Sequence, residues 1–385
     1  MELPCELLMN EILFRLPIKH LLRCRCVSKG WCSLIDSNAF VKKRLQRMIE
    51  CDARGVIFIG LRGELYIADF DSLDDDSASV VELNNPLNTC ISDKNVVGNS
   101  ANGLVYMVND EMEEFVIFNP STRKARKIPS PPSRFLDSYY LVCCGFGYDY
   151  VNDDYKILKI ALDYPFFIIG IVLYSIKTNK WTWIDDVPRN ITGMFTTDAI
   201  SASGYLYFMA QNNLNSTIIL GFNFGLQQFE EFPYPNGTAV GSCSRWIDSF
   251  EGSLSLVESY SNSDSHSCMD VWVLNHSWED NNWFKAFSLE LPTGFGCFGP
   301  VALSRSKKDI LFVLNKEKLI EKKTLLKWYD IERKTFQNVK IRGIPTVVKP
   351  YVYTKSLLQL TGDDLLQKPL HDKQNSDNFL SKDSS

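Results

Sequence analysis

The sequence predicts a small helical module followed by an all-β repeat domain, a six-bladed β-propeller with seven blades as the alternative. Three observations carry this prediction. Apolar residues in the first fifty positions recur at helical spacing. From residue 56 to 362, short Val/Ile/Phe/Tyr/Trp runs alternate with Gly, Asn, Asp and Pro, the texture of short strands and turns. A strand–turn–strand unit whose first strand ends in an aromatic also returns about every 53 residues.

The helices come first. Pro4 suits an opening turn, where its missing N–H costs nothing, and Leu7, Leu8, Ile12, Leu13 and Leu16 follow close to helical spacing up to Pro17. Ile18, Leu21 and Leu22 predict a short second helix. Ser28 is placed to cap a third, which carries Trp31, Leu34 and Ile35. Val41, Leu45, Met48 and Ile49 fall at i, i+4, i+7 and i+8, a fourth amphipathic helix with a basic outer face. So few residues cannot bury all these leucines internally, so the excess apolar surface needs a partner protein or the neighbouring domain.

The repeat copies are FVIFNPSTRKARKI, IVLYSIKTNKWTWI, ILGFNFGLQQFEEF, MDVWVLNHSWEDNNWFKAF and LLKWYDIERKTFQNV. Their anchor aromatics, Phe118, Tyr174, Phe222, Trp272 and Tyr329, are spaced by 56, 48, 50 and 57 residues. A weak sixth copy, LYIADFDS, sets Phe70 another 48 residues upstream. Before the five outer hairpins stand further strands: GLVYMV, DYKILKI, GYLYFMA, GSLSLVE and DILFVLN. About four strands per unit is the size of a propeller blade. Residues 51–362 hold about six such units, and the late strand Tyr351–Leu360 is placed to pair with the first blade and leave no free edge. There is no Gly-Gly pair and no Trp-Asp dipeptide, so the prediction rests on period and hairpin shape. Residues 363–385 are Asp/Lys/Ser/Asn-rich and read as a disordered tail.

Composition excludes several classes. The longest apolar run, Phe166–Tyr174, is nine residues, too short for a bilayer. No signal-peptide pattern opens the chain. Eleven cysteines at irregular spacing, none in C-x-x-C, read as reduced thiols without a zinc site, as expected of an intracellular protein in cytoplasm or nucleus. The net charge of −5 divides into +4 on residues 1–50 and −9 on the rest. The two parts therefore differ chemically, which suggests different partners.

Two stretches resemble known families. Residues 3–43, LPCELLMNEILFRLPIKHLLRCRCVSKGWCSLIDSNAFVKK, resemble an F-box. Leu3-Pro4, Glu11-Ile12-Leu13, Arg15-Leu16-Pro17, Leu21-Leu22, Arg25-Cys26-Val27-Ser28-Lys29 and Trp31 stand where that motif expects them, and RCVSKGW is typical of plant F-box proteins. The resemblance makes residues 1–50 an F-box that docks on a Skp1-like adaptor and through it on a cullin. It implies adaptor-facing roles for Leu3, Pro4, Leu7, Ile12, Leu13, Leu16, Pro17, Leu21, Leu22, Val27 and Trp31, some of which must be internal to the bundle. SANGLVYMV with IFNPSTRKARKIP, GFGYDYVNDDYKILKI, VLYSIKTNKWTWI and MDVWVLN resemble the F-box-associated interaction domain of plant F-box proteins over roughly 95–355. That resemblance implies a target-recruiting role for residues 51–362. Ser259–Ser267 departs from the usual form as a Ser/Asn/Asp-rich insertion.

Nothing in the sequence argues for catalysis. His20 falls in the helical module and His371 in the tail, and His266 and His276, ten apart in one blade, read as solvent-facing loop residues rather than ligands. No G-x-S-x-G, Walker A or G-x-G-x-x-G occurs, and Gly145-Phe146-Gly147 lies within a strand-like run. Asp153-Asp154 reads as a turn before a strand. No cofactor is implied, and basic residues never form the aromatic-interleaved stripe of a nucleic-acid binder. The candidate target-binding residues are aromatic and Arg side chains in expected blade-linking loops: Arg134, Phe135 and Tyr139 (134–140), Phe195 (194–197), Arg245 and Trp246 (245–248), and Phe295 and Phe298 (295–298). The combined expectation is the non-catalytic substrate-recognition subunit of a Skp1–cullin–F-box ubiquitin ligase, leading to target degradation. The alternatives are a non-degradative scaffold and, further off, a propeller enzyme.

Overall fold

The computed structural model describes residues 12–360, apart from 61–62, 75–77, 88–94, 110–113, 133–140, 164–166, 186–187, 189, 195–198, 236–242, 262–266, 277–280, 293–294, 317–323 and 345–346. The part of the expected first helix before residue 12 and the tail at 363–385 lie outside the described residues; the rest of that helix, up to Pro17, is corrected to a 3-10 turn at Leu13–Arg15 with Leu16 extended.

A single 3-10 turn at Leu13–Arg15 precedes three α-helices: α1 (Ile18–Cys24), α2 (Lys29–Ile35) and α3 (Asn38–Glu50). Pro17 is the N-cap residue of α1, where its fixed φ ends one element and starts the next. Ser28 caps α2, its hydroxyl accepting from Trp31 N at 3.1 Å, and Ser37 caps α3, accepting from Phe40 N at 3.3 Å. Leu13, Phe14, Ile18, Leu21, Ile35, Phe40 and Val41 are buried together, with Phe14 and Phe40 stacked at 4.7 Å. The apolar stripe expected on α3 is corrected at two positions. Ile49 is 48 % exposed, whereas Arg44 is 3 % exposed and turned inward. Arg44 lies three residues after Val41 and four before Met48, so helical geometry puts it on the buried face. There its guanidinium donates to the Phe14 and Leu16 carbonyls, which the broken helix leaves without intrahelical donors.

The strands form six sheets, one per blade. Blade 1 is ordered β25 (Val347–Thr354), β1 (Arg54–Gly60), β2 (Leu65–Asp69) and β3 (Val81–Leu83). Blade 2 is β4 (Asn95–Ala101), β5 (Leu104–Asn109), β6 (Glu114–Asn119) and β7 (Lys124–Ile128), and blade 3 is β8 (Leu141–Asp149), β9 (Asp154–Asp163), β10 (Phe167–Ser175) and β11 (Lys180–Trp183). Blade 4 runs β12 (Ile191–Met194) with β13 (Ile200–Ala202), then β14 (Tyr205–Asn212), β15 (Thr217–Asn223) and β16 (Gln228–Phe232). Blade 5 is β17 (Ser244–Phe250), β18 (Ser253–Ser261), β19 (Ser267–His276) and β20 (Asn281–Glu290). Blade 6 is β21 (Phe295–Leu303), β22 (Asp309–Lys316), β23 (Thr324–Asp330) and β24 (Thr335–Asn338).

Six blades is therefore the observed number. The ring closes where β25 pairs antiparallel with β1, from Arg54↔Thr354 to Gly60↔Val347, so the two chain ends share one sheet. All five anchor aromatics are buried in the third strands of blades 2–6. Phe70 is buried too, but in a 3-10 turn after β2, which explains the weakness of that copy. The insertion at 259–267 is partly strand, with pairing extending to Ser261↔Ser267.

Strand alternation sends neighbouring side chains to opposite faces of each blade, so the core is six clusters, each shared by two blades. Between blades 3 and 4, for example, Leu158, Ile160 and Leu173 meet Leu206, Phe208, Phe222 and Phe224, whereas Ile157 and Tyr174 face blade 2. The two glycines of the G-x-G sit at this joint. A Cβ on Gly145 would lie 2.7 Å from Ala199 Cβ, and one on Gly147 would lie 2.3 Å from the Phe224 ring. They let the inner strand of blade 3 press against blade 4.

Two turn types repeat. Between first and second strands, Asn102-Gly103, Ser203-Gly204 and Glu251-Gly252 each place two residues at positive φ, the two-residue hairpin turn that matches strand twist. Between third and fourth strands, Asn119, Asn223 and Asp330 follow the anchor aromatic, and their side-chain oxygens accept backbone N–H groups two and three residues on.

Candidate functional site

The strand directions give the propeller two unlike faces. The inner strands end at the tight hairpin turns, and the helical module sits there. Met48, Ile49 and Asp52 line the mouth of a central cavity of about 500 Å³ beside Asn102, Glu251, Gly252 and Thr354. The strand ends flanking the blade-to-blade connections 84–94, 129–140, 233–243 and 291–294 lie on the opposite, distal face.

Among the described residues, contacts at three points hold the module in place. Lys42 of α3 pairs with Asp153 in the β8–β9 turn, and Tyr148 donates to the same carboxylate. The Lys42 ammonium and then the Tyr148 hydroxyl hold the Asp153 carboxyl below the usual carboxylate range. At the junction of α3 with β1, Arg54 is buried. It pairs with Asp52 at 2.9 Å and with Glu251 of blade 5 at 3.2 Å, donates to Leu303 O of blade 6 at 2.8 Å, and lies 4.2 Å from the Phe70 ring of blade 1. Third, residues 355–360 leave β25 and run beneath the helices. Leu357 enters the helical core, and the Asn119 amide nitrogen donates to Ser356 O, Ser356 Oγ and Leu358 O at 3.3, 3.2 and 2.9 Å.

These contacts use the two stretches that carried the propeller resemblance. Asn119 and Ser121 belong to IFNPSTRK, and Asp149 to Asp153 belong to GFGYDYVNDDYK. Asp149 is fully buried. Burial alone would raise its carboxyl, but the Lys156 ammonium at 2.6 Å and the Asn152 donors overcome that and hold it low. As expected, Asp153-Asp154 is a turn entering a strand. Asp153 has φ 51°, and Asp154 begins β9.

Of the candidate adaptor-facing residues, Leu3, Pro4 and Leu7 lie outside the described residues. Leu13 and Leu21 are fully buried in the core of the module, and Leu16, Leu22 and Trp31 pack half-buried against it. Ile12 at 38 %, Val27 at 64 % and Pro17 are exposed. Arg44 and Leu357, neither of them in the expected set, complete this core. Arg44 was signalled by its helical position, and Leu357 had no local signal.

Of the candidate target-facing residues, Arg134, Phe135, Tyr139 and Phe195 lie outside the described residues. The expected loops 245–248 and 295–298 are corrected: both are inner-strand segments, in β17 and β21. The ring needs an innermost strand in every blade, and these segments supply it. Arg245 Nε donates to the fully buried Glu258 carboxylate at 2.7 Å, which also accepts from Trp272 Nε1 at 3.1 Å. Arg245 thus neutralises a buried acid. Trp246 packs between blades 5 and 6, close to Gly299. For Phe295 and Phe298 only the strand position is described. Among the described residues, no three His, Cys, Asp or Glu side chains gather where they could hold a metal ion, and no helix is long and apolar enough to cross a membrane.

Residues 68–362 match the family model of the F-box associated beta propeller domain, and residues 2–43 match that of the F-box domain. The chain is similar to the Arabidopsis thaliana F-box protein CPR1, 27 % identical over 91 % of this chain and 87 % of that one. F-box protein At4g22390 from the same plant is 25 % identical over 94 % and 92 %. Among solved structures, a functionally unknown protein from Desulfotomaculum acetoxidans aligns over 78 % of this chain and 99 % of its own, at 14 % identity and a TM-score of 0.40.

Proposed function

Because the chain belongs to the F-box proteins that carry an associated β-propeller domain, we propose that it is the substrate-recognition subunit of a Skp1–cullin–F-box ubiquitin ligase. The helical module binds a Skp1-like adaptor, and the distal face of the propeller binds the target protein. The chain itself is non-catalytic. It raises the concentration of target beside the ubiquitin-carrying enzyme, whose chemistry resides in other subunits. The observation that carries this reading is the arrangement of the module on the tight-turn face. Ile12, Pro17 and Val27 remain open to solvent, and the face with the longer connections points away.

The burial pattern selects the test. Leu13→Asp would put a charge into the core of the module and report folding rather than binding. Val27→Asp combined with Ile12→Asp alters exposed positions only. Capture of the full chain by an immobilised Skp1-like adaptor should fall at least tenfold in this double variant, with an unchanged melting temperature. Undiminished capture would remove these residues from the interface. Proximity labelling around a chain carrying the same two substitutions should enrich the target without destroying it. Accumulation of that target under proteasome inhibition separates a degradative receptor from a scaffold.

A further inference from the structure

We propose that the adaptor-binding module of this chain is a composite, in which the N-terminal helices share their core with residues 355–360, the segment that follows the ring-closing strand. The adaptor-binding consequence rests on the F-box reading above; the composite core does not.

The argument starts from size. A helical module of some forty residues buries too little apolar surface to be stable alone without a staple. Here the staple comes from the other end of the chain. Leu357, 4 % exposed, packs among Leu13, Phe14, Ile18, Leu21, Ile35, Phe40 and Val41. Leu358 touches both this cluster and the one between blades 2 and 3, and Leu360 belongs to the latter. The segment is thus apolar toward the helices and toward the propeller.

Asn119 fixes its path. The side-chain oxygen caps the β6–β7 turn at Ser121 N and Thr122 N, as Asn223 and Asp330 do in their own blades. Its amide nitrogen, however, donates to Ser356 and Leu358, and Ser121 Oγ accepts from Ser356 N at 3.3 Å. An Asp at this position would cap the turn equally well. The amide is needed only for the segment, which gives the Asn of IFNPSTRK a second task. Lys355 N donates to Ala53 O at 2.9 Å, linking the segment to the end of α3. Among the described residues, the core of the module is therefore filled when the ring has closed and residues 355–360 lie beneath the helices.

Hydrogen exchange on the full-length chain tests this. Leu357→Ala should speed exchange of the α1, α2 and α3 amides by about 30-fold or more, the low end for truncating a buried leucine, while β14 and β18 keep their protection. Asn119→Asp keeps the turn acceptor and removes the donor, so it should give the same pattern without enlarging a cavity. Leu226→Ala, an exposed turn position, is the control. Unchanged helix exchange in Leu357→Ala overturns the proposal, and so does an equal rise in β14 and β18, which would assign Leu357 to the propeller alone. Adaptor capture should fall in parallel with the loss of helix protection. If the exchange pattern holds but the unaltered chain captures no Skp1-like adaptor, the composite core stands and the F-box reading fails.

Discussion

Lys156→Met isolates the buried ion pair of blade 3. Lys156 Nζ lies 2.6 Å from Asp149 Oδ2, with side-chain exposures of 6 % and 0 %, and it also donates to Phe224 O of blade 4 at 3.4 Å. Removing only the ammonium leaves a carboxylate buried without its counter-charge. Such breaks cost about 3–5 kcal/mol, which for a domain of this size lowers the melting temperature by roughly 5–8 °C. The pH dependence gives the sign. In the unaltered protein the Asp149 carboxyl is held below its ordinary value, so the stability it contributes is present above about pH 4 and is lost as pH falls through its lower folded value. In Lys156→Met, burial acts on Asp149 unopposed by the ammonium, so protonation relieves the cost at a higher pH. The deficit should therefore be largest near neutrality and shrink toward pH 4. Calorimetry at pH 7 and pH 4.5 measures it. Asp149→Asn added to Lys156→Met keeps an acceptor for Val151 N and Asn152 N, and should recover most of the loss. A single variant as stable as the parent at pH 7, or a double variant less stable than the single, would refute the reasoning.

Two further predictions follow from the interblade packing and the module joint. Gly147→Ala forces the Phe224 ring to move and should lower the melting temperature by roughly 2–5 °C, the range for overpacking by about 1–3 kcal/mol; no change would mean that blades 3 and 4 separate freely. Asp153→Asn removes the Lys42 ion pair at a partly exposed site and should weaken the docking of α3 by less than about 1 kcal/mol, an effect further reduced by salt. Because Asp153 is also held low, that difference persists above about pH 4 and vanishes as pH falls below it, which hydrogen exchange of α3 at pH 7 and pH 3 checks.

Much of the fold was legible because its signals are local. The outer hairpins of blades 2–6, the Ser28 cap and the break at Pro17 each follow from residues within a few positions of one another. The inward Arg44 was legible in principle, since it sits between Val41 and Met48 on one helix face, but its charge pointed outward. Arg245 and Trp246 were misplaced in a loop because inner strands are short and mixed in polarity. Their burial comes from neighbouring blades, and the sequence around them carries no trace of those blades.

The amino-acid sequence by itself determined α1 to α3, the period and a ring of about six blades, because hydrophobic spacing and turn residues act over three to ten positions. Only the tertiary structure decided which face the module covers, that β25 closes blade 1, and that Leu357 belongs to a core opened by Leu13. Those contacts join residues some three hundred positions apart, where no periodicity reaches and only the closed ring brings the two ends together.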